Sequence, residues 1–328
     1  MTVPVLGLEA LEAAARPETV FETVRAALIA HAEDRTTVPA PLHLDFPQAG
    51  GDCHVKAGWI TGDDDFVVKI VSGFYRNPDR GLPTNHGLVC VVSALTGQVR
   101  AVLDDRGRLT AWRTAAAGAL VTHAMSRADA GTVGVFGTGE QAGLQVEWLG
   151  MLRPLARVLV HGRDARKAAA LCDRLGALGY EARPAAADET AAADIVITTT
   201  PATAPVLAAA AIRPGAHVTG IGADMPHKNE LPADLFRRAE TIVTDDHSQC
   251  LHHGDFGHAV RAGAVAEHAD TAAGAVLAGP ARRSATAVTV ADLTGVGALD
   301  AALASALIQE HGLVTERFSR HPDRAATP

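Results

Sequence analysis

The chain has 328 residues, of which 48% are hydrophobic and 20% are charged, and its formal net charge is −8 at pH 7. This length exceeds that of one typical core, so two domains are expected. The acidic balance, the 4% aromatic content and the lack of a basic cluster argue against a nucleic-acid-binding surface. No apolar run reaches membrane-spanning length, and the acidic N-terminus lacks a signal pattern. We therefore expect neither a membrane nor a nucleic acid as partner.

The cysteines bear on the compartment. The sequence has four, all far apart and without a Cys-x-x-Cys pair: Cys53, Cys90, Cys172 and Cys250. This pattern is typical of reduced, mostly buried thiols, and it predicts a cytoplasmic protein.

The first third of the chain changes from a helical to a β-rich pattern. Apolar residues at four-residue spacing predict a helix over 17–31, with Pro17 in its first turn. Short β-rich runs from about 38 to 103, separated by turn signals such as Thr61-Gly62-Asp63-Asp64, predict an antiparallel or mixed sheet. An alanine-rich helix over 109–125 then leads the chain out of this sheet.

From Thr132 onward, short apolar strands alternate with helical segments, one of them over 206–211. This alternation predicts an α/β fold with a doubly wound parallel sheet of the Rossmann type. We assign the later run Ala-Val-Thr-Val-Ala-Asp-Leu and the helix from about 298 to the first domain. The prediction is a Rossmann domain over 116–285 and a smaller, discontinuous α+β domain for substrate binding and dimerisation over 1–115 and 286–328, ending in a loose tail, His-Pro-Asp-Arg-Ala-Ala-Thr-Pro.

A glycine motif follows the first strand of the predicted Rossmann domain. The run Thr-Val-Gly-Val-Phe leads into Gly137-Thr138-Gly139-Glu140-Gln141-Ala142 and then into a helix. In a dinucleotide-binding turn, Gly137 allows the turn and Gly139 lets the backbone approach the phosphates. Ala142 keeps the helix close to the strand, and the helix N-terminus offers unpaired N–H groups to the anion. We expect this loop, including Thr138, Glu140 and Gln141, to bind a nicotinamide dinucleotide.

The end of the second strand bears on which nicotinamide cofactor binds. An acidic residue at this position binds the adenosine ribose and favours NAD. In this sequence the position is Gly162, and Arg163 follows it. A missing acid beside a guanidinium suits a 2′-phosphate, so the prediction favours NADP(H). NAD(H) stays possible, because Asp164 would take the acidic position if the loop were shifted, and Arg163 could equally be the solvated start of a helix.

Several segments together resemble the ornithine cyclodeaminase/mu-crystallin family. The match runs from about residue 36 to 305 and consists of Val68-Lys69-Ile70-Val71, Gly81-Leu82-Pro83-Thr84, 109–116 (Leu-Thr-Ala-Trp-Arg-Thr-Ala-Ala), the glycine loop, 222–231 (Gly-Ala-Asp-Met-Pro-His-Lys-Asn-Glu-Leu) and Asp292-Leu293-Thr294-Gly295. The resemblance implies a Rossmann domain, a smaller domain that forms a homodimer, and a bound nicotinamide cofactor. It also implies hydride transfer that interconverts an amine and an imine beside a carboxylate.

The resemblance assigns the central site residues. Lys69, in the apolar run Val-Val-Lys-Ile-Val, matches the active-site lysine that contacts substrate and donates a proton. Arg113 matches an arginine that binds the substrate carboxylate through its guanidinium fork. Asp224, after the strand His-Val-Thr-Gly-Ile-Gly, matches the catalytic aspartate that exchanges a proton. The residues alone also allow a lysine on a solvated strand face, an arginine that reaches the surface, and an aspartate that caps a turn.

Three threonines and two departures complete the predicted site. By resemblance, Thr114 lies near the cofactor, and Thr200 flanks the nicotinamide. Thr84 lines the substrate pocket. The family's second carboxylate-binding arginine is replaced, since the matching Pro41-Leu42-His43 offers His43. Lys56 stands where many members have an apolar residue. Either Lys56 supplies the missing cation, or the pocket takes a smaller or differently charged substrate.

The histidines His247, His252, His253 and His258 invite the hypothesis of a metal site. Their spacing fits neither a His-x-x-x-His motif paired with a carboxylate nor a Cys/His framework, so no metal is expected.

Three functions remain open at this stage. The favoured one is an NAD(P)H-dependent oxidoreductase that interconverts a small α-imino acid and the α-amino acid. The second is a cyclodeaminase, in which catalytic NAD oxidises a diamino acid, ammonia leaves and the hydride returns. The third is a non-catalytic, NADP-gated ligand-binding protein, which would have no need of a proton-handling aspartate.

Overall fold

The computed structural model describes residues 2–279 and 283–312. The first part of the chain forms a sheet with helices packed against it. Its elements are β1 Val5–Gly7, α1 Leu8–Ala14, α2 Pro17–Ala32, β2 Thr36–Thr37, β3 Leu42–Phe46, β4 Gly51–Ile60, β5 Asp65–Phe74, β6 Asn85–Ser93, β7 Val99–Asp104 and α3 Arg108–Met125. The helices predicted over 17–31 and 109–125 are therefore confirmed as α2 and α3.

The rest of the chain alternates between strands and helices. Its elements are β8 Thr132–Phe136, α4 Glu140–Leu152, β9 Arg157–His161, α5 Ala165–Ala177, β10 Ala182–Pro184, α6 Ala187–Ala191, β11 Ile195–Thr198, β12 His217–Gly220, α7 Ala233–Arg238, β13 Ala239–Thr244, α8 His247–His252, α9 Asp255–Arg261, β14 Asp270–Ala272, α10 Ala273–Leu277, β15 Val288–Asp292 and α11 Gly297–Glu310. Within the described ranges, no helix is both long enough and apolar enough to cross a bilayer.

The first sheet is mixed, as predicted. Its strands follow the order β1-β7-β6-β5-β4-β2, with β3 also paired to β4. β1 runs parallel to β7, and the other pairs are antiparallel. In this register Lys56 of β4 lies directly opposite Lys69 of β5. Directly opposed residues of an antiparallel pair share one face of the sheet, so both amino groups extend from the same face.

The second sheet confirms the predicted doubly wound fold. Its order is β10-β9-β8-β11-β12-β15-β13-β14, and every pair is parallel. The inner strands β11, β12 and β15 are buried at every residue, because helices cover both faces of a parallel sheet. Their carboxyl ends meet at one edge, where ligands bind in such folds.

Two details of the predicted organisation are wrong. The sequence places the run Ala-Val-Thr-Val-Ala-Asp-Leu in the first domain, but this run forms β15, which lies between β12 and β13 in the parallel sheet. The chain returns to the mixed sheet only with α11, which packs on β4 and α2. The helix predicted over 206–211 is a 3-10 turn at Ala209–Ala211, because the backbone is extended at Ala208 before it and at Ile212 after it. The predicted C-terminal tail lies outside the described residues.

A pair of glycines brings α11 against the mixed sheet. A Cβ atom at Gly58 of β4 would lie 2.3 Å from the carbonyl oxygen of Gly297, and one at Gly297 would lie 2.4 Å from that of Ala57. Only glycine at both positions allows this approach. The first turn of α11 is therefore held against β4, and Asp300, one turn from Gly297, lies beneath the two opposed lysines.

Candidate active site

A cavity of about 430 Å³ lies between the carboxyl edge of the parallel sheet and one face of the mixed sheet. The segments after β8, β11, β12 and β15 form one wall, and β4, β5 and α3 form the other. Of the predicted site residues, those that line it are Lys56, Lys69, Thr84, Arg113, Thr114, Gly139, Glu140, Gln141, Thr200 and Asp224. The fold thus brings most of the predicted residues into one cavity.

A buried ion cluster lies at the floor of the cavity. Lys69 Nζ is 2.7 Å from Asp300 Oδ2, and Arg113 Nε is 3.2 Å from Asp300 Oδ1. Lys69 also donates to Thr110 Oγ1 at 3.0 Å. All three charged residues are nearly inaccessible, with 1% exposure for Asp300, 2% for Lys69 and 6% for Arg113. One carboxylate therefore fixes both cations, which excludes a solvated strand face for Lys69 and a surface position for Arg113.

Burial and neighbouring charges set the protonation of this cluster. Burial lowers the pKa of Lys69 to about 7, with Arg113 contributing, while Asp300 opposes the shift. Burial raises the pKa of Asp300, but the charges of Lys69 and Arg113 outweigh this effect and hold it below its usual value. Lys69 can therefore give up a proton near neutral pH while Asp300 stays ionised.

Lys56 and His43, the two candidates for the second cation that would bind the substrate carboxylate, lie in different places. Lys56 lines the cavity, and its Nζ donates to the Gly295 carbonyl oxygen at 3.3 Å. Burial and the Arg113 charge lower the pKa of Lys56. His43 is not among the described residues that line the cavity; its ring packs edge-on against His54, with centroids 4.5 Å apart. The structure therefore brings Lys56, and not His43, beside Arg113.

Asp224 follows β12 at the wall opposite Lys69. Its Oδ1 accepts a hydrogen bond from Lys228 Nζ at 2.6 Å, and its side chain is 43% exposed. Burial raises the pKa of Asp224, but the Lys228 charge and hydrogen bond outweigh it, so the pKa lies below its usual value. An ionised, partly accessible carboxylate can accept a proton and exchange it with water.

Sequence reasoning missed two groups of the cavity. Asp300 could have been noticed as a lone acid in the apolar run Leu-Asp-Ala-Ala-Leu-Ala, but its partners could not. On β4, His54 lines the cavity, with its Nε2 3.4 Å from Asp52 Oδ1. Tyr75 donates its hydroxyl hydrogen to Asp52 Oδ2 at 2.9 Å. Burial lowers the pKa of His54, so a neutral imidazole faces the cavity at neutral pH.

The glycine loop has the geometry of a dinucleotide-binding turn. Gly137 has φ +126°, a left-handed value that favours glycine, and a Cβ there would lie 2.5 Å from Thr199 Oγ1. Gly139 precedes α4, and nothing lies within 4 Å of the position that its Cβ would take. Gln141 donates to the Ala111 carbonyl oxygen at 3.1 Å, which ties α4 to α3. The loop thus leaves an open cradle at a helix N-terminus, which fits a pyrophosphate.

A buried glutamate orders the strand ends on which the nicotinamide would rest. Glu230 is fully buried, and its two oxygens accept four hydrogen bonds. The donors are Thr198 Oγ1 at 2.9 Å, Thr200 N at 2.6 Å, Thr200 Oγ1 at 2.7 Å and Gly222 N at 2.6 Å. The predicted Thr200 therefore lies in the cavity wall in a fixed rotamer. Sequence reasoning missed Glu230, because its partners are distant in the chain.

The loop after β9 is open to solvent. β9 ends at His161, so Gly162 is the first residue after the strand, as predicted, and Arg163 is exposed. Thr138 lies next to this position, since a Cβ at Gly162 would be 2.5 Å from Thr138 Cγ2. Asp164 caps α5 through its Oδ1, which accepts from Arg166 N at 2.9 Å and Lys167 N at 3.4 Å. The acidic group that follows β9 is thus engaged by the helix.

From the buried carboxyl groups at the carboxyl edge of the parallel sheet we predict that the free energy of unfolding depends on pH. Burial raises the pKa of Asp292 to about 8, with nearby Asp245 contributing, against about 3.9 for an unfolded aspartate. A raised folded-state pKa contributes stability at low pH that is lost as the pH rises through about 8. We expect Asp292→Asn, which keeps an oxygen to accept from Phe256 N, to gain stability over the native chain as the pH rises from about 5 to 8.

Urea unfolding at several pH values measures this difference. Asp45→Asn, a change at an exposed position of β3, is the control and should follow the native chain at every pH. A constant offset between Asp292→Asn and the native chain across this range would contradict the prediction.

The fold and the cavity define a Rossmann-type oxidoreductase, in which a mixed sheet closes over the cofactor-binding edge. The family model of the ornithine cyclodeaminase/mu-crystallin family matches residues 7–313. The chain belongs to this family, and it is an enzyme. The resemblance carried by the sequence motifs is confirmed.

Relatives and solved structures agree with this assignment. A protein of Rhizobium meliloti described as a dehydrogenase is 42% identical to this chain. The alignment covers 86% of this chain and 87% of that protein. An archaeal alanine dehydrogenase dimer with bound NAD superposes with a TM-score of 0.88, at 29% identity and over 94% of this chain and 96% of that one. The Δ¹-pyrroline-2-carboxylate reductase of Thermococcus litoralis, in complex with NADH and L-proline, superposes with a TM-score of 0.87 at 25% identity. The superposition covers 96% of this chain and 100% of that one.

Proposed function

We propose that the enzyme reduces a small α-imino acid to the α-amino acid with a nicotinamide cofactor. The observation that carries this proposal is the Lys69–Asp300–Arg113 cluster, which lies in one cavity with the glycine loop. A nicotinamide ring supplies the hydride when the cofactor is bound. The protein residues then have to hold the carboxylate, keep water out and move protons.

The carboxylate site of this proposal is formed by two cations. Asp300 engages Arg113 only through Nε, so the two terminal nitrogens can bind a carboxylate in bidentate geometry. Lys56 lies beside them and takes the place of the family's second arginine. We expect Lys56→Ala to raise the substrate KM more than it lowers kcat, because the contact is made equally in the ground and transition states.

The proton steps are assigned by pKa and accessibility. Lys69, with a pKa of about 7, keeps the imine nitrogen protonated and donates a proton to it. Asp224 is ionised and partly exposed, so it exchanges protons between the cavity and water with the help of Lys228. In this proposal, buried Lys69 protonates the imine, and accessible Asp224 exchanges protons with water.

The test is an assay of the purified enzyme with NADPH or NADH and a panel of imines. The panel contains Δ¹-pyrroline-2-carboxylate, Δ¹-piperideine-2-carboxylate, and pyruvate or glyoxylate with an amine. Cofactor oxidation and the matching amino acid are the expected products. If every imine left the cofactor unchanged while the enzyme bound it, the proposal would be wrong.

Cyclodeamination is the second candidate, and a specific observation supports it. Asp52 and Asp224 both line the cavity, and two carboxylates suit the distal ammonium of a diamino acid. L-Ornithine with catalytic NAD⁺ would then yield ammonia and proline without net NADH. That outcome, with no imine reduction, would reverse the order of the two candidates.

For the cofactor, we propose a preference for NADP(H), with NAD(H) accepted more weakly. Support comes from exposed Arg163 beside Gly162 and from Asp164, whose Oδ1 caps α5. We expect Arg163→Ala to lower kcat/KM for NADPH by about 10- to 150-fold and that for NADH far less, since a charge-assisted contact contributes roughly 1.5–3 kcal/mol. Arg157→Ala, at the opposite end of β9 and paired with Glu181, is the control. Equal losses with both cofactors would contradict the preference.

We also propose a cytoplasmic homodimer. The four cysteines are free thiols, which agrees with a reducing compartment. The similar archaeal alanine dehydrogenase is a dimer. Light scattering on the purified protein should give twice the chain mass of 33.9 kDa.

A further inference from the structure

A group of potential metal ligands lies outside the cavity, around the start of α8. His247 is the first residue of this helix, and Glu267 and His268 lie in the loop before β14. One ligand atom from each residue lies within 4.8 Å of those of the other two. The sequence predicts no metal here, since the spacing of the histidines fits no metal-binding motif. Glu267 and His268 come close to His247 only because β13 pairs with β14.

A second layer of contacts orients His247. Its Nδ1 is 2.8 Å from Asp270 Oδ1, and the Asp270 side chain is only 5% exposed. Thr244 Oγ1 donates to the other oxygen of Asp270 at 2.5 Å. A carboxylate on Nδ1 fixes the tautomer that presents a lone pair at Nε2, which is the usual support of a metal-binding histidine. The contact thus leaves Nε2 for a ligand.

The second histidine lies beside the first. The ring centroids of His247 and His268 are 5.3 Å apart, and the planes are inclined by 31°. Tetrahedral zinc with bonds of about 2.0–2.1 Å needs its ligand atoms roughly 3.3 Å apart. Glu267 and His268 are exposed, so their side chains can close the remaining distance without moving the backbone.

We propose that His247, Glu267 and His268 bind a divalent transition metal of the zinc type, with water as the fourth ligand. Two imidazoles and a carboxylate are a zinc donor set, whereas Mg²⁺ prefers oxygen ligands alone. The site joins the start of α8 to the loop before β14. On α8, Gln249 donates to the Gly295 carbonyl oxygen at 3.0 Å, the same atom that accepts from Lys56. The metal therefore stabilises the helix behind the proposed carboxylate site.

Calorimetric titration of the chelator-treated full-length protein with Zn²⁺ tests the proposal. We expect one Zn²⁺ per chain, at least tenfold weaker binding for His268→Ala and for Glu267→Gln, and no response to Mg²⁺. The control is His252→Ala, because His252 is an exposed histidine of the same helix and should keep the native affinity.

Thermal unfolding gives a second readout that does not depend on activity. Zn²⁺ should raise the unfolding midpoint of the native chain and of His252→Ala equally, and that of His268→Ala by clearly less. Both substituted positions are exposed, so the variants should fold. The proposal is overturned if His268→Ala binds Zn²⁺ as tightly as the native chain, if His252→Ala loses affinity equally, or if no Zn²⁺ binds.

Discussion

Lys69→Met is expected to lower kcat for imine reduction by about 10²–10⁴-fold, the range that a positioned general acid contributes. Methionine approximates the length of the lysine side chain without its charge, and Arg113 still pairs with Asp300, so the fold should persist. The native enzyme should lose kcat/KM as the pH rises through about 7, because Lys69 must be protonated to donate. Steady-state rates across pH 5–9, with unfolding midpoints measured in parallel, check both statements.

The control for this prediction is Lys167→Met, which removes a charge from an exposed position of α5. It should leave kcat and its pH profile unchanged. If Lys69→Met kept the native kcat, the proton would have to come from the Asp224–Lys228 pair instead, and the roles proposed for Lys69 and Asp224 would be exchanged.

Asp300→Ala is expected to lower the free energy of unfolding by about 3–5 kcal/mol, the usual cost of removing one partner of a buried ion pair. Lys69 and Arg113 would then be left as two buried cations without their shared carboxylate. Their repulsion should lower the pKa of Lys69 further, so the fall in kcat/KM should move to lower pH. Urea denaturation and the pH–rate profile measure the two effects separately.

Asp234→Ala provides the matched control for stability. Asp234 also pairs with an arginine, Arg237, but both side chains are exposed, so the loss should stay below about 1 kcal/mol. Asp300→Asn tests the charge alone, since an amide oxygen can still accept one hydrogen bond. A pH profile unchanged in both Asp300 variants would show that Asp300 does not position Lys69.

The sequence predicted the glycine turn between β8 and α4, because that turn is local. Gly137, Gly139 and the strand and helix around them are contiguous, so their spacing alone defines the turn. Lys69 and Arg113, which line the cavity, are predicted through motifs of the family. In contrast, Asp300 is 231 residues from Lys69, and no spacing rule connects them. Glu230 was missed for the same reason, since it orders Thr200 from a different loop.

The errors in the fold prediction also have physical causes. The β15 segment reads as a buried strand, but a short apolar run carries no information about which sheet it joins. Its place between β12 and β13 is set by the packing of the whole domain. His43 matched a motif position, yet its ring packs against His54, outside the cavity. Lys56 was recognised only as a departure, because its opposition to Lys69 depends on the register of β4 and β5.

The close contact between Gly58 and Gly297 has a consequence for the order in which the protein matures. A chain growing on the ribosome presents Lys69 long before Asp300, and at about 5–20 residues per second the delay is roughly 10–50 s. During that time, Lys69 lacks the carboxylate of Asp300, and Gly58 of β4 is not yet covered by α11. Docking of α11 therefore pairs Lys69 with Asp300 and covers the mixed sheet in the same step, so the cluster proposed for catalysis forms only after the residues of α11 have been synthesised.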